Sequence, residues 1–201
     1  MMIKKPDLKL EKKILSSCKG KICGIDEVGR GALAGPVISA AVILDFNNIP
    51  LDINDSKKLS KLNREKKYKE ICNSAISIGI GISNNEEIDK NNILEATLLS
   101  MKRAYKKLHI KPTFALIDGN KAPVLDCKIK TVIKGDNVCL SIAAASIIAK
   151  VYRDRVMNEI DKKYPEYNFK NNVGYGTKEH YNAIQSNGIS IYHRKSFNLF
   201  H

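Results

Sequence analysis

The hydrophobic and polar positions of this chain follow a period of two in some segments and a helical period in others. Five short apolar segments have the length or the alternation that is typical of strands. They are residues 21–26, 36–44, 76–82, 113–117 and 129–133. Fairly short connections join the first three segments, so we expect these three strands to run antiparallel.

Longer segments carry their apolar residues at helical spacing. Residues 61–75 are rich in helix-forming side chains, and residues 139–162 form a long segment with one apolar face. Another long helix is predicted to begin at a capping box made by Ser83 and Glu86 and to continue to Leu108. This combination predicts a mixed α/β fold in which helices cover a central sheet.

The two ends of the chain differ in composition from this central part. Residues 1–19 are basic and are predicted to be partly helical, and the tail from Tyr164 onward is richer in Asn, Gly and Tyr. We therefore expect residues 1–163 to form a core with a short amino-terminal lead-in. Residues 164–201 are predicted to form a small C-terminal helical extension.

The chain carries a large excess of positive charge. Its 34 basic and 21 acidic residues give a formal net charge of +13, which favours a polyanionic partner, either nucleic acid or an anionic membrane surface. The amino terminus is charged throughout and lacks the apolar core of a signal peptide. The longest apolar run, residues 139–149, is too short to span a bilayer. We expect a nucleic-acid partner, no membrane association and a cytoplasmic location.

Cysteine and histidine show none of the spacings that build a zinc site or a disulfide framework. The five cysteines are an odd number without paired short spacings, and the four histidines form no short ligand motif. Free thiols in a reducing compartment are the interpretation that this pattern favours.

Acidic side chains stand where three of the predicted strands end. Asp26 and Glu27 close the first strand, Asp118 closes the fourth, and Asp136 follows the fifth. Open α/β sheets place their sites at strand ends, so we expect these carboxylates to converge. Converging carboxylates raise one another's pKa values unless cations intervene, and two Mg²⁺ or Mn²⁺ ions would balance four negative charges. The plainer alternative for Asp136 is an ordinary helix cap.

Seven segments of the chain resemble, in order, the motifs of bacterial ribonuclease HII. They are GIDEVGRGALAGPV (24–37), DSKKLS (55–60), LIDGN (116–120), KGD (134–136), IAAASIIAKVYRD (142–154), GYGT (174–177) and HRKSF (193–197). LIDGN or KGD alone would be a weak match, but the ordered set spans residues 20–197 and is specific. One departure is Lys195, where the family commonly has arginine.

The resemblance implies a ribonuclease H-like fold, with a mixed five-stranded sheet flanked by helices and a C-terminal extension that completes the substrate site. It also implies a monomeric endonuclease that hydrolyses the RNA strand of RNA–DNA hybrids. Single ribonucleotides in duplex DNA would be incised on their 5′ side, leaving 3′-hydroxyl and 5′-phosphate ends, as ribonucleotide excision repair requires. Asp26, Glu27, Asp118 and Asp136 would be the catalytic residues and would bind two Mn²⁺ or Mg²⁺ ions.

The resemblance also implies substrate contacts. Gly29, Arg30 and Gly31 are similar to the family's turn that contacts the 2′-hydroxyl and the junction phosphate. Tyr175 corresponds to the ring that stacks beneath the ribose, and Lys57 is expected to contact phosphate. The residues suit these roles, because glycine lets the backbone approach a sugar and arginine offers a planar fork to phosphate.

Three other interpretations remain open at this point. The related ribonuclease HIII usually carries an additional amino-terminal substrate-binding domain, whereas only residues 1–20 precede the first predicted strand here. A non-catalytic basic module would bind nucleic acid without turnover. An enzyme acting on small nucleotides would leave the charge of +13 unexplained, and GRGALAGP lacks the Gly-Lys-Ser/Thr ending of a phosphate loop.

Overall fold

Five strands form one mixed sheet in a computed structural model that describes residues 5–54 and 56–200. The strands are β1 (Ile22–Val28), β2 (Val37–Ile43), β3 (Ser77–Ser83), β4 (Phe114–Asp118) and β5 (Lys128–Val132). Their order is β3-β2-β1-β4-β5. The first three strands pair antiparallel, as predicted, and β1–β4 and β4–β5 pair parallel.

The described residues also form six α-helices. They are α1 (Lys9–Leu15), α2 (Lys61–Ser74), α3 (Asn85–Lys106), α4 (Leu140–Asp161), α5 (Phe169–Asn172) and α6 (Lys178–Asn187). The predicted strands and long helices are therefore all present, with boundaries shifted by a few residues. None of the helices in the described part of the chain is long and apolar enough to cross a membrane.

The helix α4 packs closely against one face of the sheet. Three consecutive alanines, Ala143, Ala144 and Ala145, are fully buried in this contact. The approach is close because Gly24 in β1 has no side chain, and a Cβ there would lie 2.1 Å from the backbone carbon of Ser141. This packing determines where α4 presents its polar side chains relative to the end of β1.

The helix α3 covers the opposite face, but it begins one residue later than predicted. The capping box is made by Asn84 and Glu87, whose side chains accept hydrogen bonds from each other's backbone N–H groups at 2.8 Å and 3.0 Å. The predicted box of Ser83 and Glu86 is wrong, because Ser83 is the buried last residue of β3 and pairs with Val37 of β2.

A kink at Asn92 divides α3, which the periodicity did not predict. Asn92 has a non-helical backbone (φ +66°, ψ 166°). Its side-chain oxygen accepts hydrogen bonds from the backbone N–H groups of Leu94 (2.9 Å) and Glu95 (3.1 Å), so it caps the second part of the helix. That second part lines a small cavity together with Glu27 and Asp118.

The amino-terminal lead-in is partly helical, as predicted, and it also belongs to the core; its residues 1–4 lie outside the described part of the chain. Glu11 of α1 is fully buried. Its Oε1 accepts hydrogen bonds from the backbone N–H of Ser141 (3.1 Å) and from the Ser141 hydroxyl (2.9 Å). Cys139 precedes α4 without a side-chain cap, so Glu11 supplies the cap from a distant part of the chain. Burial raises the pKa of Glu11.

The C-terminal extension is helical, as predicted, and packs on the second half of α4. Met157 and Ile160 of α4 form a hydrophobic cluster with Tyr167, Phe169 and Ile184 of the extension. The shared cluster ties the extension to the core. The division of the chain at residue 163 stays a prediction.

Replacing Glu11 by alanine is expected to lower the free energy of unfolding by about 1–3 kcal/mol, because two buried donors of Ser141 would lose their acceptor. Glu11→Gln keeps one acceptor oxygen and is the matched control, with a smaller loss. Thermal or urea unfolding would measure both changes.

The same variants test the raised pKa of Glu11. A folded-state pKa above the unfolded value means that this group's contribution to stability is fully present below the unfolded pKa. It is lost as the pH rises through the folded pKa. Glu11→Gln should therefore weaken the fall of stability with rising pH above about pH 4. An unchanged pH profile in Glu11→Gln would contradict this assignment.

Candidate metal centre

Parallel pairing brings the carboxyl ends of β1 and β4, and the acidic side chains on them, to the same end of the sheet. The register pairs Ile25 with Ile117, so Asp26 and Asp118 follow at the same level. One carboxylate oxygen from each of Asp26, Glu27 and Asp118 lies within 4.8 Å of the other two. We refer to these three residues as the three-carboxylate group.

Asp136 lies beside this group, on the Asp118 side. It belongs to a short 3₁₀ helix, Gly135–Asn137, that follows β5, and it is 5% exposed. The preceding Gly135 donates its backbone N–H to Oδ1 of Asp118 over 2.6 Å. Lys57, whose side chain is 81% exposed, places Nζ 4.0 Å from Oδ2 of Asp136. The structure thus joins three of the four predicted carboxylates and sets the fourth next to them.

Asp26 and Glu27 reach this end of the sheet from different faces of β1, since neighbouring side chains of a strand alternate. Asp26 is buried on the α4 side and hydrogen-bonds the Ser146 hydroxyl, which lies 3.0 Å from the hydroxyl of Ser56. Glu27 borders the cavity lined by the second part of α3. Ser56 and Ser146 belong to the DSKKLS and IAAASIIAKVYRD motifs; Asp55 lies outside the described residues.

The pKa values of the three-carboxylate group are all raised. Burial is the main cause for each of them. Repulsion adds to it: Glu27 and Asp118 raise the pKa of Asp26, and Asp136 raises that of Asp118. Arg30, with Nη1 3.3 Å from Oε1 of Glu27, offsets part of the effect on Glu27. Without a nearby cation, burial and repulsion therefore favour protonation of these carboxylates.

The donor atoms at this end of the sheet fit a divalent cation. Oε2 of Glu27 is buried and has no hydrogen-bond partner among the described residues. Carboxylate oxygens are the ligands that Mg²⁺ and Mn²⁺ prefer. A cation bound there would neutralise the repulsion and occupy the unpartnered oxygen, so these residues could hold one.

The loop that follows β1 is held by two fully buried arginines, Arg153 of α4 and Arg194, which we call the arginine clamp. Arg194 donates to the carbonyl oxygens of Gly29 (2.6 Å), Arg30 (2.8 Å) and Gly35 (2.9 and 3.0 Å).

Arg153 donates to the carbonyls of Ala34 (3.1 Å), Pro36 (2.9 Å) and Val173 (2.7 Å). Burial lowers the pKa of Arg194 to about 9. The clamp draws the carbonyl side of the loop inward.

This loop needs glycine at position 29. Gly29 has φ +93°, and a Cβ there would lie 2.2 Å from Nε of Arg153. Gly31 is exposed, as is Arg30, and a Cβ at position 31 would meet open space. The predicted substrate turn, residues 29–31, is therefore buried and anchored at Gly29 and exposed at Arg30 and Gly31.

Tyr175 is tied to the same loop. The half-buried Tyr175 forms an antiparallel bridge with Ala32, and the carbonyl of Gly174 accepts hydrogen bonds from Leu33 (2.7 Å) and Ala34 (3.3 Å). The guanidinium carbon of Arg153 lies 5.5 Å from the centre of the tyrosine ring. Substrate turn, clamp and tyrosine thus form one unit next to Glu27.

The arginine clamp was not predicted from the sequence. Arg153 and Arg194 stand within the motifs VYRD and HRKSF, and nothing else in the sequence marks them as a pair. An arginine within an otherwise apolar helical stretch is unusual, and this was the available signal for Arg153. The structure also accounts for Lys195. Its backbone N–H donates to Asp89 over 3.0 Å while the residue is exposed, so lysine and arginine can make this contact equally well.

A family model of ribonuclease HII matches residues 23–200. The chain belongs to the ribonuclease HII family. Ribonuclease HII of Wolbachia pipientis wMel is 53% identical over 196 residues, covering 97% of this chain and 96% of the relative. Ribonuclease HII of Paramagnetospirillum magneticum is 49% identical over 196 residues, covering 96% and 95%.

Solved structures share the fold. Ribonuclease H2 of Pyrococcus horikoshii superimposes with a TM-score of 0.78 at 24% identity, over 89% of this chain and 94% of that one. RNase HII of Archaeoglobus fulgidus, solved in complex with PCNA, gives 0.74 at 26% identity, over 90% and 96%. Bst-RNase HIII in complex with Mn²⁺ gives 0.71 at 19% identity, over 89% and 67%. The predicted ribonuclease H-like fold is confirmed.

Family membership decides among the alternatives left open by the sequence. A ribonuclease HII is an endoribonuclease that hydrolyses the RNA strand of RNA–DNA hybrids, and ribonucleases H depend on divalent metal ions. A binding module without turnover and an enzyme of small nucleotides are therefore wrong. The individual roles of the site residues stay predictions at this point.

Binding of Mg²⁺ or Mn²⁺ is expected to release protons, because the raised pKa values let protons compete with the ion for the carboxylates. The apparent affinity should rise with pH and level off once the carboxylates are ionised. Titration calorimetry in buffers of different ionisation enthalpy would measure the released protons. Asp26→Asn is the control, with fewer protons released per ion. An affinity independent of pH from mildly acidic to neutral solution would contradict the electrostatic account.

Proposed function

We propose that this ribonuclease HII incises the 5′ side of single ribonucleotides embedded in duplex DNA, leaving 3′-hydroxyl and 5′-phosphate ends, and so serves ribonucleotide excision repair. One observation carries the proposal: the substrate turn and Tyr175 are joined by the arginine clamp and adjoin the three-carboxylate group. Arg30 follows Glu27 by three residues and lies 3.3 Å from it. A ribose held at the turn would therefore have its phosphate near the carboxylates. The monomeric state and the cytoplasmic location stay predictions.

We assign catalysis to Asp26, Glu27, Asp118 and Asp136, as holders of two Mn²⁺ or Mg²⁺ ions. The unpartnered oxygen of Glu27 and the raised pKa values of the group support this assignment. When bound, such ions supply an activated water and stabilise the charge that develops on the scissile phosphate. Asp136 would complete the set from the Asp118 side, where Gly135 already fixes the Asp118 carboxylate.

The remaining contacts follow from what each residue exposes. The exposed backbone of Gly31 can approach the 2′-hydroxyl, the group that distinguishes RNA from DNA. Gly29 is buried and its carbonyl accepts a hydrogen bond from Arg194, so Gly29 would support this contact by fixing the turn. Arg30 is exposed and can bind the junction phosphate, and the ring of Tyr175 can stack on the ribose. Lys57 would contact a phosphate near Asp136. The net charge of +13 supplies the general attraction for the duplex.

Asp118→Asn and Asp136→Asn are each expected to lower kcat about 10²–10³-fold, because transition-state charge stabilisation is lost. Binding to the hybrid should change little. The assay is cleavage of a duplex with one ribonucleotide in Mn²⁺, with end analysis of the products and fluorescence anisotropy for binding. Cleavage at an undiminished rate in EDTA would refute the metal assignment, and 5′-hydroxyl products would refute the proposed bond cleavage.

Tyr175→Ala is expected to lower incision at a single ribonucleotide about tenfold, because a stacked aromatic ring contributes about 1–3 kcal/mol. Tyr175→Phe keeps the ring and should remain close to the parent enzyme. The ratio of kcat/KM on the single-ribonucleotide duplex to that on a uniform hybrid is the measurement. If both variants behave alike, the ring does not recognise the junction.

A further inference from the structure

Two histidines form a buried, directly hydrogen-bonded pair behind Tyr175. Nε2 of His180, in α6, lies 3.1 Å from Nε2 of His193, and neither residue has exposed surface. Edge-on ring contacts enclose the pair, at centroid distances of 4.9 Å from Tyr167 to His193 and 5.4 Å from Phe169 to His180. The two imidazoles are therefore held in place and shielded from water.

The groups at the two outer ends determine where each proton lies. The backbone N–H of Ser190 donates to Nδ1 of His193 over 2.9 Å, and the Ser190 hydroxyl lies at the same distance from that nitrogen and can donate to it as well. Nδ1 of His180 lies 2.9 Å from the carbonyl oxygen of Tyr175. A backbone N–H only donates, and a carbonyl only accepts. His193 must therefore carry its proton on Nε2 and donate it to His180. His180 then carries its own proton on Nδ1 and donates it to Tyr175.

Both rings must be neutral for these three hydrogen bonds to form. A second proton on His193 would face the N–H of Ser190, and a second proton on His180 would face the Nε2–H of His193. Burial lowers the pKa of His180. It lowers the pKa of His193 to about 4, with a further contribution from His180. Hydrogen-bond geometry and burial thus both favour neutral rings.

The chain of hydrogen bonds ends on the residue to which we assign the stacking contact. The carbonyl of Tyr175 accepts from His180 and also from the backbone N–H of Thr177, at 2.9 Å each. Two donors on one carbonyl restrict rotation of the peptide group after Tyr175. Because the tyrosine side chain leaves the same residue, the direction of its Cα–Cβ bond is restricted as well.

We propose that His180 and His193 are positioning residues that hold Tyr175 for selective incision at single ribonucleotides. The inference rests on the proposed stacking function of Tyr175. Both histidines are buried, so they act through the backbone of Tyr175 and touch neither substrate nor the three-carboxylate group. This assigns a purpose to His180 and His193, which the metal chemistry does not use.

Amide side chains can replace the two ring nitrogens one at a time, so the role of each nitrogen can be tested separately. Asparagine places its amide close to the position of Nδ1, and glutamine places its amide close to that of Nε2. His180→Asn therefore keeps the donor to Tyr175, and His180→Gln removes it. His193→Gln keeps the donor to His180, and His193→Asn removes it. Each histidine thus has a disrupting variant and a matched conservative variant.

The readout is the ratio of kcat/KM on a single-ribonucleotide duplex to that on a uniform RNA–DNA hybrid, measured with the whole chain in Mn²⁺. We expect His180→Gln and His193→Asn to lower this ratio about five- to tenfold, the effect of one lost hydrogen bond. His180→Asn and His193→Gln keep the donor, so the ratio should stay within about twofold of the value for the unaltered protein. His109→Asn is the control, because His109 bonds Ser77 at the start of β3.

The outcomes distinguish this proposal from the one on which it rests. If Tyr175→Ala lowers the ratio while His180→Gln and His193→Asn do not, the positioning role is overturned and the stacking role stands. If Tyr175→Ala leaves the ratio unchanged, both fall.

Nitrogen NMR of the unaltered protein does not depend on how the variants fold. It should show both rings neutral at pH 7, His180 protonated on Nδ1 and His193 on Nε2. A charged ring or the opposite tautomers would overturn the proposal.

Discussion

Repulsion among buried carboxylates at the ends of β1 and β4 is the interaction on which the rest of the structure depends. Parallel pairing sets Asp118 level with Asp26. Burial raises the pKa of both acids, and Asp118 raises that of Asp26 further. The N–H of Gly135, the hydroxyl of Ser146 and the guanidinium of Arg30 offset part of the electrostatic cost of burying these carboxylates together. In the proposed function a divalent ion offsets the rest of this electrostatic cost. The repulsion that weakens the fold is then also the source of metal affinity.

The arginine clamp applies the opposite principle, since it buries positive charge without a carboxylate at hydrogen-bonding distance among the described residues. Guanidinium groups can be buried at acceptable cost only when their donors are paired. Here backbone carbonyls of the loop at residues 29–36 are the acceptors. The loop cannot move without breaking several of these bonds. Because Arg153 and Ser146 lie on the same helix, α4 holds both the substrate turn and one side of the three-carboxylate group.

Both ends of the chain are tied to this framework by polar contacts. Glu11 caps α4 from the amino-terminal side. Asp89 of α3 accepts hydrogen bonds from the backbone of Lys195 and from Ser196 on the C-terminal side. The extension is therefore part of the site and not only an addition to the surface. It brings Arg194, His193 and Tyr175 to the loop that follows β1, so a site near the start of the chain is completed by residues near its end.

Much of this protein was predictable from its sequence, because periodicity and turn chemistry are local properties. The five strands, the long helices and the position of Asp26, Glu27, Asp118 and Asp136 near strand ends followed from spacing. The ordered motifs then indicated the family, and the family model confirmed it. The errors were local too: Asn84 competes with Ser83 for the cap, and β3 pairing decided between them.

Only the tertiary structure decided which distant groups meet. Glu11 and Ser141 are 130 residues apart, and Arg194 and Gly29 are 165 residues apart. Nothing in the spacing of either pair marks them as partners. The histidine pair carries no ligand motif in the sequence, since its members share no short spacing and meet only through folding. Buried polar contacts of this kind depend on how helices pack on a sheet, and a pattern of hydrophobic positions specifies which face is buried but not which polar atom lies opposite.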